Sequence, residues 1–175
     1  MRKLILIIII LNTMLISAQN SIYDISLQSI DNTFINLHDY QGKYILFVNV
    51  ASYCGYTNQY SDLQKLHETQ ENLEVIGLPC NQFLFQEPFS EDTIKKFCSS
   101  NYGVDFLMTT KVNVKGKKQH ELYRWLTKKE LNGKMDSKVK WNFQKYLINE
   151  NGYLDTYYYP YTSPTSKKIV NWIKK

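Results

Sequence analysis

The stretch that decides the fold is KYILFVNVASYCGYTNQYSDLQKLHETQENLEVIGLPC, residues 43–80. Its opening, KYILFVNVA, is a nearly continuous apolar run, which reads as a strand buried on both faces. YSDLQKLHETQEN places Tyr60, Leu63 and His67 along one side of a helix. LEVIGLPC is a second buried strand. Strand, helix and strand in that order predict a parallel pair joined by a right-handed crossover. Cys54 falls at the corner between the first strand's carboxyl end and the start of the helix. Amide N–H groups and the positive end of a helix dipole favour a thiolate there. Open α/β sheets also carry their sites at the carboxyl ends of strands. The competing reading is a small buried hydrophobe. Its neighbours Ser52, Tyr53, Gly55 and Thr57 are not a core sequence, which favours a reactive sulfur.

Outward from this unit, ISLQSIDNTFINLHDY alternates around Asp31-Asn32 and reads as an N-terminal β-hairpin. SEDTIKKFCSSN opens with Ser90 as a helix N-cap and acids in the first turn, and Ile94, Phe97 and Cys98 share a face. MTTKVNV, residues 108–114, reads as a strand. HELYRWLTKKEL reads as one helix with Leu122, Trp125 and Leu126 inward, ending near Asn132-Gly133. FQKYLINENGYLDTYYY is a hairpin turning at Asn151-Gly152. A last helix follows Ser163, with Pro164 at its first position. The whole is an α/β chain in outline thioredoxin-like: a central mixed sheet flanked by helices, with no repeats and no linker.

The chain has 175 residues, enough for one domain. Its first residues read as an address. MRK is a positive n-region, LILIIIILNTMLI an apolar core of about 13 residues, and SAQ a small-residue exit. A spanning helix needs about 20 residues, so residues 1–18 are expected to be a signal peptide, and residues 21–175 the folded domain. The expected location is outside the cytoplasm, periplasmic or secreted, with no stable membrane insertion after cleavage. Without Arg2 and Lys3, the formal net charge of +5 falls to about +3, too mild to argue for nucleic acid. The 14 tyrosines serve cores and surfaces alike. Three cysteines in an exported chain is an odd count, so at least one thiol is unpaired or reactive. No pair is spaced as CxxC. His38, His67 and His120 are isolated, His67 reads as a packed residue, and no spacing suggests a metal. There is no phosphate-binding glycine loop and no dinucleotide fingerprint, so no cofactor is expected.

Two further stretches fall at the same end of the sheet as Cys54. LPCNQFLFQEP carries Gln86 after the second strand, and KWNFQKYLIN carries Trp141 and Asn142 before a later one. Side-chain amides and an indole N–H are neutral donors. Aimed at one sulfur, they would stabilise a thiolate and the charge developing on a leaving oxygen. Each has a plainer reading, Trp141 as core and Gln86 as a brace for its own loop.

The blocks NVASYCGYTNQYSDLQKLHE, LPCNQFLFQEP, FCSSNYGVDFLM and KWNFQKYLIN resemble, in order and spacing, the signature blocks of the glutathione peroxidase family. The likeness runs over essentially the whole mature chain. It implies a thioredoxin-like fold and reduction of hydrogen peroxide and organic or lipid hydroperoxides, a role in antioxidant defence. Cys54 occupies the peroxidatic position, so the resemblance is to the cysteine branch. Gln86, Trp141 and Asn142 match the residues that surround that sulfur, and Cys98 matches the resolving cysteine of thioredoxin-dependent members. Cys80 matches a common cysteine without that role. The external reductant implied is a thioredoxin-like protein more than glutathione. The short segment before WNF implies a monomer or weak dimer, because a longer insertion there accompanies tetramers in the family.

The chain departs from the family pattern at three places. Leu84-Phe85 stands where a glycine-containing pair is common, Phe89 follows QEP where glycine is usual, and Phe106-Leu107-Met108 replaces FPM. A sensor or relay that passes oxidation from Cys54 and Cys98 to a partner protein uses the same residues as a peroxidase. A disulfide exchanger is disfavoured, since Cys54-Gly55-Tyr56-Thr57 lacks a second thiol.

Overall fold

The computed structural model describes residues 21–173, so the expected signal peptide, residues 1–18, lies outside the described residues. A short hairpin comes first, β1 (Leu27–Gln28) against β2 (Phe34–Ile35), with Asn32 turning it at φ 62°. Next come β3 (Tyr44–Val50), α1 (Gln59–Thr69) and β4 (Leu73–Pro79). β3 and β4 pair in parallel from Tyr44↔Leu73 to Val50↔Pro79, as the opening stretch predicts.

α2 (Glu91–Tyr102) leads to β5 (Leu107–Met108), then α3 (Glu121–Thr127) and α4 (Lys129–Asn132). β6 (Lys145–Ile148) and β7 (Leu154–Tyr158) form the second hairpin, and α5 (Lys167–Ile173) closes the chain. The main sheet has the order β5-β4-β3-β6-β7. β4 pairs in parallel with β5, while β6 is antiparallel to both β3 and β7. The result is the mixed sheet of a thioredoxin-like fold.

Both faces of the sheet are covered, which is why β3 has no polar alternation. One core gathers Ile45, Phe47, Ile76 and Leu78 with Leu122, Tyr123 and Leu126 of α3. The other gathers Leu46, Val48, Val50 and Val75 with Leu63 of α1, Ile94 of α2 and Trp172 of α5. Cys80 lies in the first core, and Cys54 and Cys98 in the second. The Asn151-Gly152 turn needs its glycine twice over. Gly152 sits at φ 79°, and a Cβ there would meet the Tyr23 ring at 2.5 Å.

Three expectations about elements are corrected. The strand read over residues 108–114 pairs only through Leu107–Met108. Beyond it the chain follows the end of β4 irregularly, with Thr109 N bonded to Gly77 O and Val112 N to Pro79 O. The helix read over residues 120–131 is split at Lys128 (φ −119°, ψ 115°). There the Thr127 hydroxyl bonds back to Tyr123 O at 2.6 Å, and Asp136 Oδ1 accepts from Lys129 N at 3.0 Å, so the ladder does not continue. The last helix begins at Lys167 rather than Pro164, because Ser163 first forms its own turn, accepting from Thr165 N through its hydroxyl and from Ser166 N through its carbonyl. On α2, Ile94 and Cys98 are buried as expected, whereas Phe97 is half-buried. His67 is half-buried between the Phe106 ring and Asp105.

Candidate active site

Cys54 sits in a run of turns between β3 and α1, at 8% exposure, buried but not sealed. Thr57 builds its corner. The Thr57 hydroxyl accepts from Cys54 N at 2.9 Å and lies within bonding distance of the carbonyls of Ala51 and Cys54. This winds the loop so that Tyr56 N–H faces Cys54 Sγ at 3.5 Å. The donor at the sulfur is thus a turn amide. α1 begins five residues beyond the cysteine, at Gln59, so the helix terminus expected to hold a thiolate stands back from it.

Gln86 reaches this corner through its backbone. Its carbonyl accepts from Tyr53 N at 3.0 Å, beside Cys54. The tight return that allows this is made by Leu84 and Phe85, both in the left-handed region at φ 52° and 54°. Each residue without glycine's freedom costs roughly 1–2 kcal/mol in that conformation. Both side chains point to solvent, at 75% and 80% exposure. The departure noted in the sequence is therefore a strained one. Phe89 turns without a positive φ and packs edge-on against Tyr53, with ring centroids 5.0 Å apart.

Trp141 and Asn142 arrive from before β6. Asn142 is fully buried, and its Nδ2 donates to Gln86 Oε1 at 3.0 Å. With Oε1 occupied, the Gln86 amide nitrogen is the group left to donate. The Trp141 ring packs against Phe83 with centroids 5.5 Å apart. Asn49 in β3 holds both residues: its Nδ2 donates to Trp141 O at 3.1 Å and approaches Asn142 Oδ1 at 3.5 Å, and its carbonyl accepts from Phe143 N. Thus loops after β3 and β4 and the segment before β6 meet beside one thiol.

Several residues of the site were not singled out from sequence. Asn49 was visible as the one polar residue in FVNV. Glu87 is fully buried, accepts from Ser52 Oγ at 3.1 Å through Oε2, and leaves Oε1 without a partner among the described residues. Burial pushes its carboxyl up to about 7, against the opposing pull of the Ser52 hydrogen bonds and Lys111. Tyr60 was placed by the sequence on one side of α1, but nothing in that pattern announces its contact with Cys98.

Cys98 is nearly fully buried on α2. Burial pushes its thiol up to about 11; the Tyr60 hydroxyl draws it partly back and the Glu87 charge adds to the rise. Cys80 is also raised, chiefly by burial. All three cysteines are free thiols. Among the described residues no cluster of three or more His, Cys, Asp or Glu forms a metal-binding group, and no helix is long and apolar enough to cross a membrane.

A thioredoxin-like sheet with a free cysteine at the β3–α1 corner, facing the Tyr56 amide, has the outline of a thiol oxidoreductase. Residues 22–127 match the family model for glutathione peroxidase. The chain is 44% identical over 147 residues to the glutathione peroxidase homologue BsaA of Bacillus subtilis strain 168, covering 82% of this chain and 91% of that protein. It is 41% identical over 144 residues to the hydroperoxy fatty acid reductase gpx1 of a Synechocystis species, covering 77% and 84%. The crystal structure of Trgpx in apo form superimposes with a TM-score of 0.68 at 32% identity, covering 89% of this chain and 97% of that one. The chain belongs to the glutathione peroxidase family. It is a thiol-dependent peroxidase, an oxidoreductase that reduces peroxides.

Proposed function

We propose that Cys54 is the peroxidatic thiol of an exported, two-cysteine peroxidase. The Cys54 thiolate attacks one peroxide oxygen, the O–O bond breaks, and the distal oxygen leaves as water or an alcohol after taking a proton. Cys54 is then a sulfenic acid. Gln86, Trp141 and Asn142 supply the neutral donors around the sulfur and the departing oxygen. The observation that carries this reading is the Asn142–Gln86 hydrogen bond beside the Tyr53–Gln86 backbone contact, which ties three separated segments to the cysteine corner.

Cys98 is the resolving thiol. Its sulfur displaces hydroxide from the sulfenic acid, forming a Cys54–Cys98 disulfide and releasing water. An external dithiol, a thioredoxin-like protein rather than glutathione, then restores both thiols and leaves as its own disulfide. A thiol raised to about 11 and buried under α2 is a poor nucleophile where it stands. Resolution therefore calls for local opening of α2, which brings this thiol out of its apolar surroundings. The likeness to relatives named as glutathione peroxidases and as a hydroperoxy fatty acid reductase supports the substrate reading.

The test is a peroxidase assay on the mature protein with thioredoxin or glutathione as donor. Cys54→Ser abolishes peroxide consumption. Cys98→Ser keeps the first oxidation and loses thioredoxin-supported turnover. Activity surviving in Cys54→Ser ends the scheme, and unchanged steady-state turnover in Cys98→Ser removes Cys98 from it.

A further inference from the structure

Among the described residues six large hydrophobic side chains are exposed, and three of them, Tyr53, Leu84 and Phe85, belong to the cysteine corner. Tyr53 precedes Cys54 and is 60% exposed, and its N–H donates to the carbonyl of Gln86, the residue after Phe85. Leu84 and Phe85 stand in water on a left-handed backbone. Folding gains nothing from that choice, because the side chains are unburied and the backbone is strained. Strain kept at a reactive corner is a mark of function. Exposed apolar groups with a polar border are a mark of a contact surface.

The border here is cationic. Gln82, two residues before Leu84, fastens a lysine-bearing turn to the same loop. Its Oε1 accepts from Val114 N at 2.7 Å and from Lys115 N at 3.0 Å, and its Nε2 donates to Lys115 O at 2.9 Å. Lys115 Nζ lies over the Phe83 ring, 4.1 Å from its centroid. Lys115, Lys117 and Lys118 are exposed, and none of the ion pairs among the described residues engages them. Two features choose the occupant. The proposed cycle ends with a sulfur of an external dithiol brought to this corner, so a protein that carries thiols must land here on every turnover. The unpaired lysines select one that is acidic around those thiols.

We propose that Leu84 and Phe85 form a docking knob for the protein dithiol that restores the enzyme, a thioredoxin-like partner with an apolar groove beside its thiols and a carboxylate-bearing rim that meets Lys115, Lys117 and Lys118. The inference rests on the proposed two-cysteine cycle and adds the place where its reductant lands. On the docked partner one thiolate attacks the Cys54–Cys98 disulfide to form a mixed disulfide, and the second displaces it. Two electrons and two protons pass from the dithiol to the two cysteines, and the partner leaves as its own disulfide. Hydrogen peroxide and small dithiols use none of these contacts.

The experiment oxidises the protein with hydrogen peroxide and then measures reduction of its disulfide by thioredoxin or by dithiothreitol, using stopped-flow fluorescence and thiol alkylation. The variants are Leu84→Asn and Phe85→Asn, since asparagine accepts left-handed backbone and removes the apolar surface. Each slows reduction by thioredoxin roughly tenfold, the scale of one apolar side chain left unburied. Neither changes reduction by dithiothreitol or the preceding oxidation by hydrogen peroxide. Reduction of the wild-type by thioredoxin slows as salt rises, and Lys117→Gln with Lys118→Gln weakens that dependence. Equal losses with both reductants, or no loss with thioredoxin, overturn the docking knob, and salt-independent reduction overturns its acidic partner. A dimer in sedimentation equilibrium, or binding to phosphatidylglycerol vesicles, that the asparagine variants abolish while thioredoxin still reduces them at the wild-type rate hands the knob to a second copy or to lipid. A wild-type protein that forms no Cys54–Cys98 disulfide, or whose disulfide yields to dithiothreitol and never to thioredoxin, instead fails the proposed cycle itself, and the docking site falls with it.

Discussion

The side-chain amide of Asn142 donates to the side-chain carbonyl of Gln86 at 3.0 Å, across 56 positions of sequence. Neither residue can be moved without disturbing the other. Gln86→Ala and Asn142→Ala are each expected to lower the rate constant for oxidation of Cys54 by hydrogen peroxide by roughly tenfold or more. Because the two share one bond, the double variant loses less than the product of the single losses. Stopped-flow oxidation of the three variants measures this, and strictly multiplicative losses would show that the contact does not couple them.

Leu84 and Phe85 occupy a left-handed backbone with their side chains in solvent. Glycine adopts that conformation without the Cβ penalty, and there is little burial to lose. Leu84→Gly and Phe85→Gly should therefore each be neutral to stabilising, by up to about 1 kcal/mol, the strain relief outweighing the added freedom of the unfolded chain. Urea denaturation checks it. A clear fall in midpoint for both would mean that their side chains hold the loop in a way their exposure does not show.

Glu87 links stability to pH. Its carboxyl is raised from 4.5 to about 7 by burial, so the folded protein holds a proton that the unfolded chain has already released across that window. Stability contributed by the neutral acid is complete below about pH 4.5, declines as pH rises towards 7, and is level above, a loss on the order of 2–3 kcal/mol. Glu87→Gln should flatten this slope and be the more stable protein at pH 7.5. Denaturation of both proteins at several pH values between 4.5 and 8 is the measurement, and parallel curves would contradict the assignment.

The α2 opening proposed for resolution can be tuned without touching either sulfur. Ser90 caps the helix by accepting from Thr93 N at 3.4 Å. Removing such a cap costs about 1 kcal/mol, which raises the population of a locally opened helix about fivefold. Ser90→Ala is thus expected to accelerate formation of the Cys54–Cys98 disulfide by about that factor while leaving the preceding oxidation of Cys54 unchanged. Rapid quench with thiol alkylation separates the steps. An unchanged or slower disulfide step would mean that α2 does not open from this end.

The scaffold was readable because its signals are local. The apolar run of β3 needs only its own residues to announce a strand covered on both faces, and the Asp31-Asn32 and Asn151-Gly152 turns carry their own chemistry. The position of Cys54 followed from that frame. What escaped sequence reading depends on distant partners. Asn49 has no visible purpose until Trp141 and Asn142 arrive more than 90 residues later. Lys145 in FQKYLI looks like an exposed strand residue until the loop at Pro160 and Thr162 closes over it. Glu87 likewise reads as an ordinary surface acid beside a proline. The left-handed turn at Leu84-Phe85 was legible only as an absence of glycine, since nothing in two bulky residues encodes a positive φ.

If Cys98 resolves Cys54 as proposed, its burial also sets a ceiling on dose. In the proposed cycle the opening of α2 proceeds at a pace the protein fixes, whereas a second peroxide strikes the sulfenic acid at a frequency that climbs with peroxide concentration. Above some threshold the second strike arrives first, Cys54 passes to the sulfinic state, and that copy is spent. Such a molecule clears a trickle indefinitely and retires itself in a flood.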